Sequence, residues 1–181
     1  ITFTKILYII ILTHEVVFVK VVHPLKPIYN SESKVLILGS FPSVKSRENN
    51  FYYGNPKNRF WSTLGKVFNE DIGSSNQDRE KFLLTHKIAL FDVVYSCNIT
   101  ASSDSSIKDV VPNDIKKIVD ESKIKAIFTA GTKAYSLYNK YLLKDVGIEA
   151  FKLPSPSPAN CKRGIEEVLV NSYSKIKEYL D

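Results

Sequence analysis

The sequence predicts an α/β fold: a three-layer α/β/α sandwich built on a central, four-stranded, mostly parallel sheet. Three observations carry that reading. Four short apolar runs, 35–39, 88–94, 124–130 and 148–153, lack the strict alternation of a half-wetted strand, as expected where both faces are covered. Segments with helical spacing separate them, and strand–helix alternation gives parallel neighbours joined by right-handed crossovers. The chain has no internal repeat, and its 181 residues suffice for one well-buried core but not for two ordinary domains.

The elements follow in order. The first strand, 35–39, ends at Gly39, and a long polar loop runs from Ser40 to Pro56. Phe60, Trp61, Leu64, Val67 and Phe68 recur at helical spacing and predict a helix over 58–68; a second, charged helix covers 77–86. The strand at 88–94 runs into a Ser/Asp-rich loop. Pro112 and Asn113 then open a helix reaching Glu121, with Asp114 in its first turn. The strand at 124–130 ends at Gly131 and leads into a helix over 132–143. The last strand, 148–153, meets a proline-punctuated loop, and an amphipathic helix over 163–180 closes the chain. Residues 1–22 read as an atypical apolar N-terminal extension and 23–181 as a single domain. The longest unbroken apolar run of the extension covers only 6–12, where a membrane span needs about 20 residues, so no membrane partner is expected.

Charge is unevenly spread. Lys and Arg number 25 against 19 Asp and Glu, a net charge of +6. Residues 34–66 carry +5 and residues 152–163 carry +3, while the long middle is close to neutral. A cationic surface expects an anionic partner. Both basic stretches adjoin a strand's carboxyl end, the edge on which ligands bind in doubly wound sheets, so they should meet on one rim. Cys97 and Cys161 are too few for a disulfide framework and fit reduced thiols in the cytoplasm. The three histidines show no metal-binding spacing, and neither a dinucleotide fingerprint nor a phosphate-binding loop is present, so neither metal nor cofactor is expected. What remains is aromatic and Asn side chains in a basic rim. That set suits an enzyme that grips an extruded base by stacking and edge hydrogen bonds and orders a water.

Three segments together, 36–43 (LILGSFPS), 50–61 (NFYYGNPKNRFW) and 153–160 (LPSPSPAN), resemble the uracil-DNA glycosylase superfamily, and within it most closely the hypoxanthine-DNA (DNA-deoxyinosine) glycosylase branch. The similarity extends over about His23 to Asp181. Better-known members carry a water-activating Asp or Asn two residues after the first glycine of the motif. Here that position is Phe41, so catalysis must rest on another group, and Asn58 is the candidate; its other reading is a cap for the helix that follows. The resemblance makes Ser40 and Phe41 part of the base site and Tyr53 the aromatic that stacks on the base; a loop aromatic packed on the core is Tyr53's other reading. It places Asp92 where pyrimidine-specific relatives read the base with Asn. A carboxylate there can accept from the N1–H of hypoxanthine, or bond the Ser-rich loop. Ser155, Ser157, Pro158, Ala159 and Asn160 match the loop that enters the minor groove. Its first residue, a His in the classical uracil enzymes, is Leu153 here. Arg47, Lys57, Arg59, Lys162 and Arg163 would attract phosphates irrespective of sequence. The expectation is a cytoplasmic, monomeric, cofactor-free monofunctional glycosylase that flips a deaminated base from double-stranded DNA and leaves an abasic site. A uracil or mismatch glycosylase, and a non-catalytic nucleotide- or DNA-binding domain, are the alternatives.

Overall fold

A computed structural model describes residues 19–99 and 107–181. Most of residues 1–22, and the centre of the Ser/Asp-rich loop, lie outside the described residues. The central sheet has four strands, β2 (Val35–Gly39), β3 (Ile88–Asp92), β6 (Ala126–Ala130) and β7 (Ala150–Leu153), in the order β3-β2-β6-β7. All three pairings are parallel. Every residue of β2 and β3 is buried, which is why these runs are apolar without alternation. Helix α3 (Asn76–Thr85) packs on β3, α5 (Thr132–Tyr141) on β6 and β7, and α2 (Phe60–Phe68) on α7 (Ile165–Tyr173). The expected α/β/α sandwich is therefore present.

Several features differ from the sequence reading. The apolar run 88–94 breaks at Val93: β3 ends at Asp92, and Val94–Ile99 forms β4 of a second, antiparallel sheet, ordered β1-β4-β5. In that sheet β1 is Val19–Val22, so the last four residues assigned to the extension pair with β4. Lys108–Pro112 forms β5, which takes Pro112 out of the expected helix; α4 spans Ile115–Asp120 and is capped by Asp114, whose carboxylate accepts the Lys117 N–H at 3.0 Å. Asn113 is drawn to β3 instead, its Nδ2 donating to the Asp92 carbonyl at 2.9 Å. The long loop after β2 holds a short helix, α1 (Val44–Glu48), and the final helix passes after Tyr173 into a 3-10 segment, Ser174–Tyr179. A one-turn helix, α6 (Leu143–Val146), follows α5.

Candidate active site

The carboxyl ends of all four parallel strands converge on one cavity of about 370 Å³, within the range of roughly 300–1,000 Å³ typical of small-molecule sites. Gly39, Asp92 and Ala130 line it from strand ends, and Ser155 from just beyond β7. Gly39 and Asp92 are directly paired in the parallel register. The approach is so close that a Cβ at residue 39 would sit 2.1 Å from Asp92 Oδ1, so any larger residue there must displace the carboxylate. Gly131, at φ +108°, does the same on the other side of the cavity, where a Cβ would lie 3.1 Å from that of Ser155.

The loop after β2 builds one wall. Trp61 of α2 anchors it: the indole Nε1–H donates to the Tyr52 carbonyl at 3.1 Å, and its ring stacks on Phe51. Tyr53 follows in the left-handed region, φ 51°, an unusual conformation for a bulky residue. One face of its ring stacks on Phe60 at 3.8 Å between centroids. Asn58 lines the cavity, and its Oδ1 accepts the Phe60 N–H at 2.9 Å at the start of α2. That bond uses one lone pair of the oxygen, so the Nδ2 donors and the second lone pair are what Asn58 can offer a ligand. Phe41 is buried, with the Arg47 guanidinium 5.8 Å above its ring. The Tyr52 phenol donates to the Lys26 carbonyl at 2.7 Å; burial first, and then the neighbouring Asp92 carboxylate, pushes its pKa far up, so it stays protonated.

The loop after β7 builds the opposite wall and is braced from within. Asn160 Nδ2 donates to the Ser155 carbonyl at 2.9 Å, Ser157 Oγ accepts the Ala159 N–H at 3.2 Å, and Tyr173 Oη donates to the Pro154 carbonyl at 3.3 Å. Arg59 ties the two walls together. Its backbone N–H donates to the Pro156 carbonyl at 3.0 Å, and one guanidinium nitrogen lies 3.1 Å from the Ser157 carbonyl and 3.4 Å from that of Asn160. Arg59, grouped above with the phosphate ligands, is a clamp between loops.

Asp92 is 4 % exposed, and its Oδ2 accepts from Nε2 of His23 at 2.8 Å. That histidine lies 69 residues earlier in the chain, and the centre of the Ser-rich loop, the other partner considered for Asp92, lies outside the described residues. Nothing in the sequence flags that pairing beyond the Val-rich segment Val19–Val22 preceding His23.

Of the predicted residues, Ser40, Phe41, Tyr53, Asn58, Asp92, Ser155, Ser157 and Ala159 line the cavity. Pro158 and Asn160 belong to the same loop without lining it. Lys57, Lys162 and Arg163 are exposed and Arg47 half-buried, all outside the cavity wall. Together these features define a class: an α/β enzyme with a recessed, aromatic-walled pocket at its strand ends and cationic side chains around it.

Comparison with known proteins gives the family. The profile of the Uracil DNA glycosylase superfamily matches residues 26–179. Two curated relatives are named hypoxanthine DNA glycosylase. The one from Methanosarcina barkeri is 34 % identical over 136 residues, covering 74 % of this chain and 85 % of the relative. The one from Methanosarcina acetivorans is 35 % identical over 137 residues, covering 74 % and 84 %. A solution NMR structure of a uracil DNA glycosylase candidate from Methanosarcina acetivorans superposes with a TM-score of 0.72 at 30 % identity, covering 86 % of this chain and 98 % of that one. The chain belongs to the uracil DNA glycosylase superfamily. It is a DNA glycosylase, a hydrolase of N-glycosyl bonds whose substrate is DNA. Among the described residues, no helix is long and apolar enough to cross a membrane.

Proposed function

We propose that the protein removes hypoxanthine from double-stranded DNA by hydrolysing the bond between the base and C1′, leaving an abasic site, and that it acts as a monomer in the cytoplasm. The observation that carries the base assignment is the acceptor-only carboxylate of Asp92 in the cavity wall. Hypoxanthine presents a ring N–H at N1, which a carboxylate oxygen accepts. The two relatives named hypoxanthine DNA glycosylase support the same reading.

In this account the damaged nucleotide rotates out of the helix and its base enters the cavity, at a cost of a few kcal/mol in lost stacking and pairing. Tyr53 offers the ring face not covered by Phe60, and base–aromatic stacking is worth about 1–3 kcal/mol. Asp92 accepts the N1–H. Asn58 Nδ2 donates to the base or to the attacking water, its oxygen remaining on Phe60 N–H. The water oxygen bonds to C1′, the glycosidic bond breaks with its electron pair leaving on the purine, and the water's proton ends on the departing base. Arg47, Lys57, Lys162 and Arg163 hold the phosphates, and the loop around Ser155, Ser157, Pro158, Ala159 and Asn160 meets the minor groove. Single-turnover cleavage of duplex oligonucleotides carrying hypoxanthine, uracil, xanthine or a G·T mismatch tests the assignment. Fastest release of hypoxanthine is the expected result; faster release of uracil or of mismatched thymine overturns it.

A further inference from the structure

His23 lies just before the family-matched span 26–179, and no role falls to it in the reaction described above. Its placement is nonetheless specific. Ile28 forms an antiparallel bridge with Leu90 at the edge of β3, so the residues before Ile28 run towards the carboxyl end of that strand. The His23 N–H extends the pairing of β1 with β4 by bonding the Tyr95 carbonyl at 2.7 Å. The ring then fills an aromatic enclosure: Phe91 lies edge-on at 5.1 Å between centroids, Phe41 edge-on at 5.8 Å and Tyr52 at 6.3 Å. The imidazole side chain is only 1 % exposed and does not line the cavity.

Two bonds fix the ring. Nδ1 lies 3.2 Å from the Leu25 nitrogen and 3.0 Å from the Leu25 oxygen, so it either accepts the Leu25 N–H or, when protonated, donates to that carbonyl. Opposite an ionised Asp92, the 2.8 Å contact requires the proton on Nε2, which then donates to Oδ2, while Nδ1 accepts the Leu25 N–H in the neutral ring or donates to the Leu25 carbonyl in the doubly protonated one. Among the described residues no hydrogen bond reaches Oδ1, the oxygen that lies over Gly39. A buried carboxylate without a donor is costly and takes up a proton or turns away. A carboxylate with one oxygen held by a buried donor keeps its other oxygen in a single direction.

We propose that His23 is a specificity-determining positioning residue: by holding Oδ2 it keeps Asp92 an oriented acceptor, with Oδ1 available for the N1–H of a flipped hypoxanthine. This rests on the reading of Asp92 given above. His23 touches no part of the substrate and acts through Asp92 alone. The consequence is substrate-selective. Loss of His23 reduces release of a base whose recognition needs the carboxylate acceptor more than release of uracil.

The test uses single-turnover release of hypoxanthine and of uracil by the full chain carrying His23→Phe, His23→Gln, Asp92→Asn and the His23→Phe/Asp92→Asn pair, with thermal melting to confirm folding. His23→Phe keeps a ring in the enclosure and removes the donor; its hypoxanthine-to-uracil rate ratio is expected to fall by about tenfold, or ~1.4 kcal/mol by rate arithmetic. His23→Gln places an amide N–H near the position of Nε2 and should restore the ratio to within about threefold of wild type. On the Asp92→Asn background, His23→Phe should change the ratio by less than about twofold, because coupled residues are non-additive. Equal losses on both bases, or multiplicative losses in the pair, overturn the proposal and make His23 a packing residue. Should His23→Phe not fold, His23→Asn, whose shorter amide stops short of Oδ2, takes its place in the same comparison. If Asp92→Asn alone leaves hypoxanthine release unchanged, it is the reading of Asp92 that fails, a result distinct from an Asp92 effect that His23 does not share.

Discussion

The two loops that wall the cavity are held in different ways. The loop after β2 is pinned by aromatic side chains: Trp61 grips the Tyr52 carbonyl, Phe51 stacks on Trp61, and Tyr53 lies on Phe60 in a left-handed conformation. The loop after β7 contains few apolar anchors and is braced by its own Ser and Asn side chains, with Arg59 reaching across from the other wall. The first loop therefore holds the proposed stacking and catalytic residues, Tyr53 and Asn58, on an aromatic base. The second carries shape, and its shape depends on the first. Backbone strain concentrated at Tyr53 fits that division, since such conformations persist where the surroundings enforce them.

Breaking the first loop should have the larger effects. Asn58→Ser keeps an oxygen that can cap α2 and removes the amide donors. Single-turnover hypoxanthine release is expected to fall by about 100-fold or more, while melting temperature and DNA affinity stay near wild type. Wild-type release by this variant would leave Asn58 as a cap only. Next in size, Tyr53→Ala should slow release of every base alike, by about 5- to 150-fold, because loss of stacking costs about 1–3 kcal/mol whatever the base edge. A loss confined to one base would show that Tyr53 reads an edge rather than a face.

The second loop is tested through its clamp. Arg59→Lys retains the charge and loses the guanidinium nitrogen that bonds the Ser157 and Asn160 carbonyls. Charge-assisted hydrogen bonds of this kind are worth about 1.5–3 kcal/mol, so chemical denaturation should register most of that loss. A Lys variant as stable as wild type would return Arg59 to the phosphate-binding set. The smallest effect is expected outside both walls. Neutralising Arg47, Lys57, Lys162 and Arg163 together should flatten the salt dependence of DNA binding, by about 0.9 in log–log slope per lost phosphate contact. Neutralising Lys116, Lys117, Lys123 and Lys125 should not. Lys116, Lys117 and Lys123 already face Asp120, Glu121 and Glu32. Equal slopes for the two quadruple variants would place the DNA elsewhere.

The same contrast explains what could be read from the sequence. The parallel sheet was legible because strands buried on both faces must be apolar throughout, and Gly39 and Asp92 mark two of its ends. The wall after β2 was legible through the residue types that line it, Tyr53 and Asn58 among them. The second sheet was hidden: Val93 is a single-residue break inside one apolar run, and β1 sits at the end of an apolar stretch that resembles an extension. Arg59 could not be separated from a phosphate ligand, because a guanidinium bonds carbonyls and phosphates with the same N–H fork. The contact of His23 with Asp92 depends on tertiary pairing across 69 residues and leaves no local trace.

Under the proposed function, the cavity at the strand ends reads a purine through the carboxylate of Asp92. The most direct measurement is the ratio of single-turnover release rates for hypoxanthine and uracil in wild type and Asp92→Asn. Uracil flanks its N3–H with carbonyls on both sides, so an acceptor-only carboxylate there opposes a carbonyl that an amide N–H would bond; hypoxanthine flanks N1–H with one carbonyl and a C2–H and tolerates the carboxylate better. The expected result is a shift of the ratio towards uracil by well over twofold. A ratio that stays within about twofold of wild type, a difference of only ~0.4 kcal/mol, would contradict the claim and assign Asp92 to the scaffold.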